Sequence, residues 1–421
     1  MKKYKIVMLG EKDHGKSTLL ANLLITSKGV SQDRIKEVKA IAKKNKTRFE
    51  PGYILDAFSE ERNLGMTIDT TRADIVYKNS MFEFIDVPGH IELIKNMMTG
   101  ASDSEIALLV VSAKNNEGFK PETKRHLFLA MMFNVKAIVI AVNKLDESDY
   151  SKIIFEKIKK QVSDYINKIK PNITVATVPI SAYNIENLIS KSAKIKWYNE
   201  KSLIEMINEL KNAIESSKNK YLSNKKNKNV RILVQDVIKE KDKNPLFFGL
   251  LYSGIVKKND IVKILPDNIR VKIKSVSYIN KNKQDDKQKV KNISIQFSNI
   301  QDIKRGSVIY DLHSNPAYLR QFKTEIFSIH AIDLKKDLKK IKIILNNNEQ
   351  SIKNIKILKA ISPITGMGVP FNTQNIRSNT SITSEIVLDS DYPLEKFNEF
   401  EDLGRFLIFK DNKFVGIGKI N

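Results

Sequence analysis

Lys16 and Ser17 close the run Gly10-Glu11-Lys12-Asp13-His14-Gly15-Lys16-Ser17, which has the form G-x-x-x-x-G-K-[ST]. In such a loop the glycines let backbone N–H groups turn inward on phosphate oxygens, and the lysine ammonium reaches the β and γ oxygens. The serine hydroxyl can ligate Mg²⁺. Asp13 and His14 lie inside the loop, and Thr18 opens the segment after it. Polyphosphate binding is the chemistry that these residue types in this spacing can perform.

Three further segments follow in order. Asp86-Val87-Pro88-Gly89-His90 offers a carboxylate for the sphere of a Mg²⁺ ion, the Gly89 N–H for a γ-phosphate, and His90 to orient water. Asn143-Lys144-Leu145-Asp146 carries the choice of base. An aspartate accepts from guanine's N1–H and exocyclic amine, a donor pair adenine lacks, and a buried polar group left unpaired costs about 1–3 kcal/mol. Lys144 packs over the base plane in this reading, and Asn143 ties the segment to its neighbours. Ser181-Ala182 arrives fourth and completes the set. Together the four segments predict a GTP switch.

The elements that must position these residues are legible around them. Tyr4 to Leu9 is an apolar run and Thr18 to Leu24 is helix-like, so the first loop lies between a strand and a helix, as phosphate loops require. Met81 to Ile85 places Asp86 at a strand's carboxyl end, where open α/β sheets bind ligands. Ala137 to Val142 and Ala176 to Ile180 read as buried strands ahead of the last two motifs, and Tyr150–Ile169 and Lys201–Ile214 have helical spacing.

This βαβ rhythm predicts an α/β fold over residues 1–217: a P-loop G domain, mostly parallel, with helices on both sheet faces. The polar, basic stretch 218–229 reads as a linker. Short strand-like runs then recur between turn signals, which predicts two small β-barrels over 230–315 and 316–421.

The chain has 421 residues, no cysteine and five histidines without the spacing of H-E-x-x-H. Disulfides, thiolate metal sites and a catalytic zinc are therefore not expected. No apolar run reaches the roughly 18 residues needed to span a bilayer, and no signal-peptide core follows the first methionine. A cytoplasmic protein without a membrane or DNA partner is expected. The net charge of +24 accompanies lysine, asparagine and isoleucine enrichment along the whole chain, so it reflects composition as readily as phosphate binding. Met131-Met132 and His126 read as packing residues, the histidine partly exposed.

Beyond the nucleotide motifs, Glu60 to Asp69 and Lys95 to Ser102 resemble the first switch region and the helix after the second switch of the translation-factor superfamily of GTPases. Trp197-Tyr198 matches a segment of that family leading into the last G-domain helix. The resemblance covers nearly the whole chain and implies GTP/GDP with Mg²⁺, and GTP hydrolysis. It assigns Thr67, with Ser17 and Asp86, to the metal, Thr67 and Gly89 to the γ-phosphate, and His90 to the attacking water. Asp13 matches a residue that in some members helps hold a monovalent cation.

Within the superfamily, Asp149-Tyr150-Ser151, Phe247 to Val256 and the compact third domain resemble the GTPase subunit of bacterial sulfate adenylyltransferase. That resemblance implies a heterodimer with a smaller subunit that adenylylates sulfate from ATP. Glu401-Asp402-Leu403-Gly404-Arg405-Phe406 resembles the elongation and termination factors instead, which implies tRNA or the ribosome as partner. A divergent regulatory GTPase with neither partner is the third reading. Glu11-Lys12, Asn63-Leu64 and Asn259 depart from the family pattern, the last mildly, since asparagine tolerates positive φ.

Overall fold

The computed structural model describes residues 2–27, 29–31, 33, 35–38, 40, 51–55, 71–86, 104–114, 118–133, 135–224, 229–239, 244–279, 291–299, 303–314 and 316–421. Thr67, Gly89, His90, the segments 60–69 and 95–102, and Asn63-Leu64 lie outside the described residues.

Strands β1 (Lys2–Leu9), β2 (Thr71–Tyr77), β3 (Ser80–Asp86), β4 (Ile106–Ser112), β5 (Ala137–Asn143) and β6 (Thr174–Pro179) form one sheet in the order β2-β3-β1-β4-β5-β6. All neighbours are parallel except β2 and β3. Every residue of β4 and β5 is buried, which is why their sequences are continuous apolar runs rather than alternations. The antiparallel edge strand β2 alternates buried and partly exposed positions.

Helices α1 (Lys16–Thr26), α2 (Pro121–Met132), α3 (Lys152–Ile169) and α4 (Leu203–Asn224) accompany this sheet. Pro121 starts α2 at its first position, where a missing N–H costs nothing. Met131, Met132 and His126 are buried in α2, so the histidine expected to be partly exposed is a core residue. In α3 the buried residues Phe155, Ile158, Val162, Tyr165 and Ile166 follow helical spacing, and Ser151 caps its N-terminus. Ser202 and Glu205 build a capping box at the start of α4, with the Ser202 N–H and hydroxyl both donating to the Glu205 carboxylate.

Helix α4 continues through Asn224, which corrects the linker expected over 218–229. The run Ser216 to Asn224 contains neither glycine nor proline, so nothing in it stops a helix already nucleated by the buried turns Leu203 to Leu210.

Both C-terminal β regions close into six-stranded antiparallel barrels. The first contains β7 (Arg231–Ile238), β8 (Leu246–Ser253), β9 (Ile261–Leu265), β10 (Ile269–Tyr278), β11 (Lys291–Phe297) and β12 (Val308–Asp311), in the order β10-β11-β8-β7-β12-β9. Asn259, the residue in the turn before β9, has φ 76°, a left-handed conformation that asparagine accepts.

The second barrel uses β13 (Ala317–Ser328), β15 (Ile341–Leu345), β16 (Asn348–Ile361), β18 (Thr380–Leu394), β19 (Arg405–Lys410) and β20 (Lys413–Ile420). The short β14 (Ile332–Asp333) and β17 (Asn375–Ile376) pair with each other. The barrels are joined by a buried clamp: Arg231 Nε donates to Glu395 at 2.5 Å, Arg231 Nη1 donates to Ser314, and the guanidinium lies 4.5 Å from the Tyr310 ring centre.

Contacts divide the chain into two compact units, Met1–Tyr221 with Pro363–Met367, and Leu222–Ser362 with Gly368–Asn421. Among the described residues no helix is long and apolar enough to cross a membrane.

Candidate nucleotide site

Those residues singled out from sequence that the structure describes lie at the carboxyl ends of β1, β3, β5 and β6. The loop from β1 to α1 winds through positive φ at Gly10 (144°), Asp13 (65°) and Gly15 (89°). A side chain at Gly10 would put Cβ 2.4 Å from the Val110 carbonyl oxygen, and one at Gly15 would put it 2.4 Å from the Asn143 amide nitrogen. The loop therefore lies against β4 and β5 at a distance only glycine permits. Lys16 Nζ donates to the carbonyls of Gly10 and Glu11, both at 2.9 Å, and so is drawn back over the loop. No side chain caps the first turn of α1 and no acid lies in it, which leaves the Lys16, Ser17 and Thr18 end of the helix open to an anion.

Asp86 ends β3 as expected. One of its carboxylate oxygens, Oδ1, is shielded from solvent and has no hydrogen-bond partner among the described residues. Burial pushes its pKa up, against the opposing pull of the Lys16 charge. A shielded carboxylate oxygen at a strand end, close enough to feel the Lys16 charge, suits a divalent cation, which would restore the anion. Ser17 and Asp86 are thus the described residues that would hold Mg²⁺.

Asn143 joins the parts. Its Nδ2 donates to the His14 carbonyl at 2.8 Å, and its Oδ1 accepts from the Ala182 N–H at 2.8 Å. From the other side, Asn22 donates to the Ala182 carbonyl at 2.6 Å. The phosphate loop, the Asn143 segment and Ser181-Ala182 are therefore one hydrogen-bonded assembly. His14 is buried with Nδ1 3.3 Å from the Val110 carbonyl oxygen, so its side chain supports the loop from beneath.

Lys144 adopts φ 61° and opens a short 3₁₀ turn, Leu145–Ser148, that carries Asp146. Asp146 Oδ1 is also shielded and has no partner among the described residues. An orphaned carboxylate oxygen at this place matches the donor pair of guanine. The Trp197 indole N–H donates to the Tyr150 carbonyl at 2.8 Å and its ring packs on Phe155 at 5.1 Å between centres, anchoring the chain just after this turn.

Sequence reasoning missed two supports. Glu11 Oε1 accepts from both the N–H and the hydroxyl of Thr123 at 3.3 Å, tying the loop to the first turn of α2. Asn22 was hidden in the apolar run Leu19 to Leu24, where an isolated buried amide was the available signal.

The loop after Ala182 carries strain. Ile185, 43% exposed, has φ 61°, a conformation that costs a residue with Cβ about 1–2 kcal/mol. Glycine loses about 0.5–1 kcal/mol in unfolded-chain entropy, so Ile185→Gly is expected to stabilise the protein by about 0.5–1 kcal/mol. A urea unfolding midpoint that stays put or falls would contradict this.

The fold is a P-loop domain followed in sequence by two β-barrels. Residues 1–239 match the elongation factor Tu GTP binding domain and residues 321–421 the GTP-eEF1A C-terminal domain-like family. Elongation factor 1-alpha of Aeropyrum pernix is 30% identical, covering 98% of this chain and 95% of that protein. The Plasmodium falciparum elongation factor 1-alpha is 31% identical over 99% of this chain and 94% of its own length. The GTP-bound Saccharomyces cerevisiae Ski7 GTPase-like domain shares the fold, with a TM-score of 0.57 at 18% identity over 100% of this chain and 97% of that one. The chain belongs to the translation-factor superfamily of GTPases, of the elongation factor Tu and elongation factor 1-alpha type.

These matches back the elongation-factor alternative better than the preferred sulfate-activating reading, for which they give no support. The third domain, whose compactness suggested the sulfate branch, matches the elongation-factor C-terminal family, in agreement with the turn Glu401 to Phe406. The segments behind that preference are short, whereas the elongation-factor similarity extends over almost the entire chain.

Proposed function

We propose that this protein is an elongation-factor-like GTPase that engages aminoacyl-tRNA or the ribosome in its GTP state and is released after hydrolysis. The observation that carries this reading is the end-to-end similarity to elongation factor 1-alpha, together with a base site whose Asp146 oxygen awaits a donor. Asp146 reads guanine, Lys16 and the N-terminus of α1 hold the phosphates, and Asn143 keeps the two loops in register. Ser17, Asp86 and Thr67 would hold Mg²⁺, which would supply charge neutralisation to the phosphates. Thr67, Gly89 and His90 take their family roles at the γ-phosphate and the attacking water.

The test is protection of the aminoacyl ester. With GTP bound, the purified protein is expected to slow spontaneous deacylation of aminoacyl-tRNA, and with GDP it is expected to lose most of that protection. Equal protection in the two states, or none in either, together with no stimulation of GTP hydrolysis by ribosomes, would remove translation from the assignment.

A further inference from the structure

The phosphate loop contains two lysines, Lys12 and Lys16, and the fold treats them differently. The His14 N–H donates to the Glu11 carbonyl at 3.4 Å, so Glu11-Lys12-Asp13-His14 is a β-turn with Lys12 and Asp13 at its tip. Lys16 folds back on the loop, its Nζ donating to that same Glu11 carbonyl and to Gly10. Lys12 is exposed.

Both ends of the turn are fixed. At one end the Glu11 carboxylate accepts from the N–H and the hydroxyl of Thr123, in the first turn of α2, at 3.3 Å. At the other, the His14 carbonyl accepts from Asn143 Nδ2 at 2.8 Å, and the imidazole lies against the Val110 carbonyl. The Lys12 backbone is therefore held from two sides, while its side chain is uncommitted.

The ordinary reading of an exposed lysine in a chain of net charge +24 is a solvated surface residue. The setting of Lys12 argues otherwise. It is flanked by two acids, yet among the described residues it pairs with neither, and the Glu11 carboxylate is turned to α2. A second ammonium four residues from that of Lys16 adds repulsion, which an anion at the loop would relieve. The turn is also oriented: its His14 end is bound to the base segment through Asn143, and its Glu11 end to α2. A nucleotide with guanine at Asp146 and its phosphates along the loop therefore brings its terminal phosphate toward the Glu11-Lys12 side.

We infer that Lys12 is a further catalytic residue of GTP hydrolysis, a cation carried by the loop itself that donates to a γ-phosphate oxygen as the phosphoryl group transfers. The inference rests on the guanine-nucleotide site and on GTP hydrolysis, and is independent of whether the partner is tRNA or the ribosome. In the reaction the water oxygen bonds to the γ-phosphorus, and the bond from that phosphorus to the β–γ bridging oxygen breaks with its electron pair passing to GDP. Both water protons remain on the phosphate, so GTP⁴⁻ and water give GDP³⁻ and H₂PO₄⁻. Lys12 stays protonated throughout; its ammonium offsets the charge that the γ oxygens and the leaving oxygen carry during transfer. GDP has no γ-phosphate and takes no share in the contact.

The experiment compares the full-length protein with Lys12→Met, Lys12→Arg and a control, Lys160→Met, at an exposed position on α3. Methionine keeps an unbranched side chain without the charge. Calorimetry with Mg²⁺ reads affinity for GDP, for GTP, and for GDP with aluminium fluoride, a mimic of the transferring phosphoryl group. Single-turnover phosphate release reads hydrolysis. Lys12→Met is expected to leave GDP affinity unchanged and to slow hydrolysis by about tenfold to a hundredfold, at the lower edge of what loss of one preorganised donor does because Lys12 is exposed. Affinity for GDP with aluminium fluoride should fall in the same variant. Lys12→Arg should retain most of both, and Lys160→Met all of both.

A Lys12→Met protein that matches the parent in hydrolysis and in binding of the fluoride complex would overturn the assignment. Equal losses in Lys12→Met and Lys12→Arg would make Lys12 structural, and equal losses in Lys12→Met and Lys160→Met would make the effect one of overall charge. Weaker GDP and GTP binding in Lys12→Met at an unchanged hydrolysis rate would reduce Lys12 to a ground-state phosphate contact. Each of these results leaves the guanine site in place. A parent protein that binds GTP but neither hydrolyses it nor takes up the fluoride complex rejects Lys12 alone as a catalytic group, whereas one that binds no guanine nucleotide rejects the site and Lys12 together.

Discussion

Asp146→Asn is expected to weaken GTP binding by about 10²–10³-fold and to raise affinity for xanthosine triphosphate. Guanine presents two N–H donors to the carboxylate, and a hydrogen bond to a charged group contributes about 1.5–3 kcal/mol. Asparagine keeps one acceptor and turns an amide N–H₂ against the second donor. Losing one charged bond and gaining a donor–donor contact amounts to about 3–4 kcal/mol, with about 1.4 kcal/mol for each tenfold in affinity. Xanthine carries a carbonyl where guanine has its amine, so the new amide finds an acceptor there. Asp146 Oδ1 is shielded from solvent and has no partner among the described residues, which leaves it available to guanine. Calorimetric titration with both nucleotides measures the change, and an unaltered GTP affinity would exclude Asp146 as the base reader.

The second large effect comes from a residue that need not touch the nucleotide. Asn143→Ala removes two hydrogen bonds, one to the His14 carbonyl and one from the Ala182 N–H, and leaves both backbone groups in a buried setting. Each unpaired buried group costs about 1–3 kcal/mol, so a loss of about 2–6 kcal/mol is expected against a total stability of about 5–15 kcal/mol. GTP affinity should fall in parallel, because the phosphate loop and the Ser181-Ala182 segment lose their common tether.

Asn143→Asp is the informative companion. Its carboxylate still accepts from Ala182 but sets an oxygen against the His14 carbonyl, so it should recover only part of the loss. Saturating GTP, which binds the folded state, should raise the unfolding midpoint of both variants. Urea unfolding with and without GTP reads these quantities; a midpoint for Asn143→Ala equal to that of the parent protein would show that the tether is dispensable.

The two effects differ in how legible they were. Asp146 could be assigned from the motif because its role follows from the chemistry of one base and one carboxylate. The double tether of Asn143 joins residues 129 and 39 positions apart, and no local pattern encodes such a distance. The Glu11–Thr123 contact, across 112 positions, was invisible for the same reason. The end of α4 was misread because a polar helix tail lacks the apolar period that marks a helix, although it also lacks a stop signal. The sulfate-activating preference rested on short segments, whereas the similarity to elongation factor 1-alpha extends over 98% of the chain.

The amino-acid sequence alone determined the nucleotide class, the order of the motifs and the α/β domain followed by two barrels, since phosphate loops, buried strands and turn residues are local consequences of spacing and side-chain type. The tertiary structure decided which backbone groups the motif residues satisfy and which oxygens of Asp86 and Asp146 are left without a partner among the described residues. Those properties depend on register and on contacts between distant segments, and they exist only once the sheet and barrels have closed.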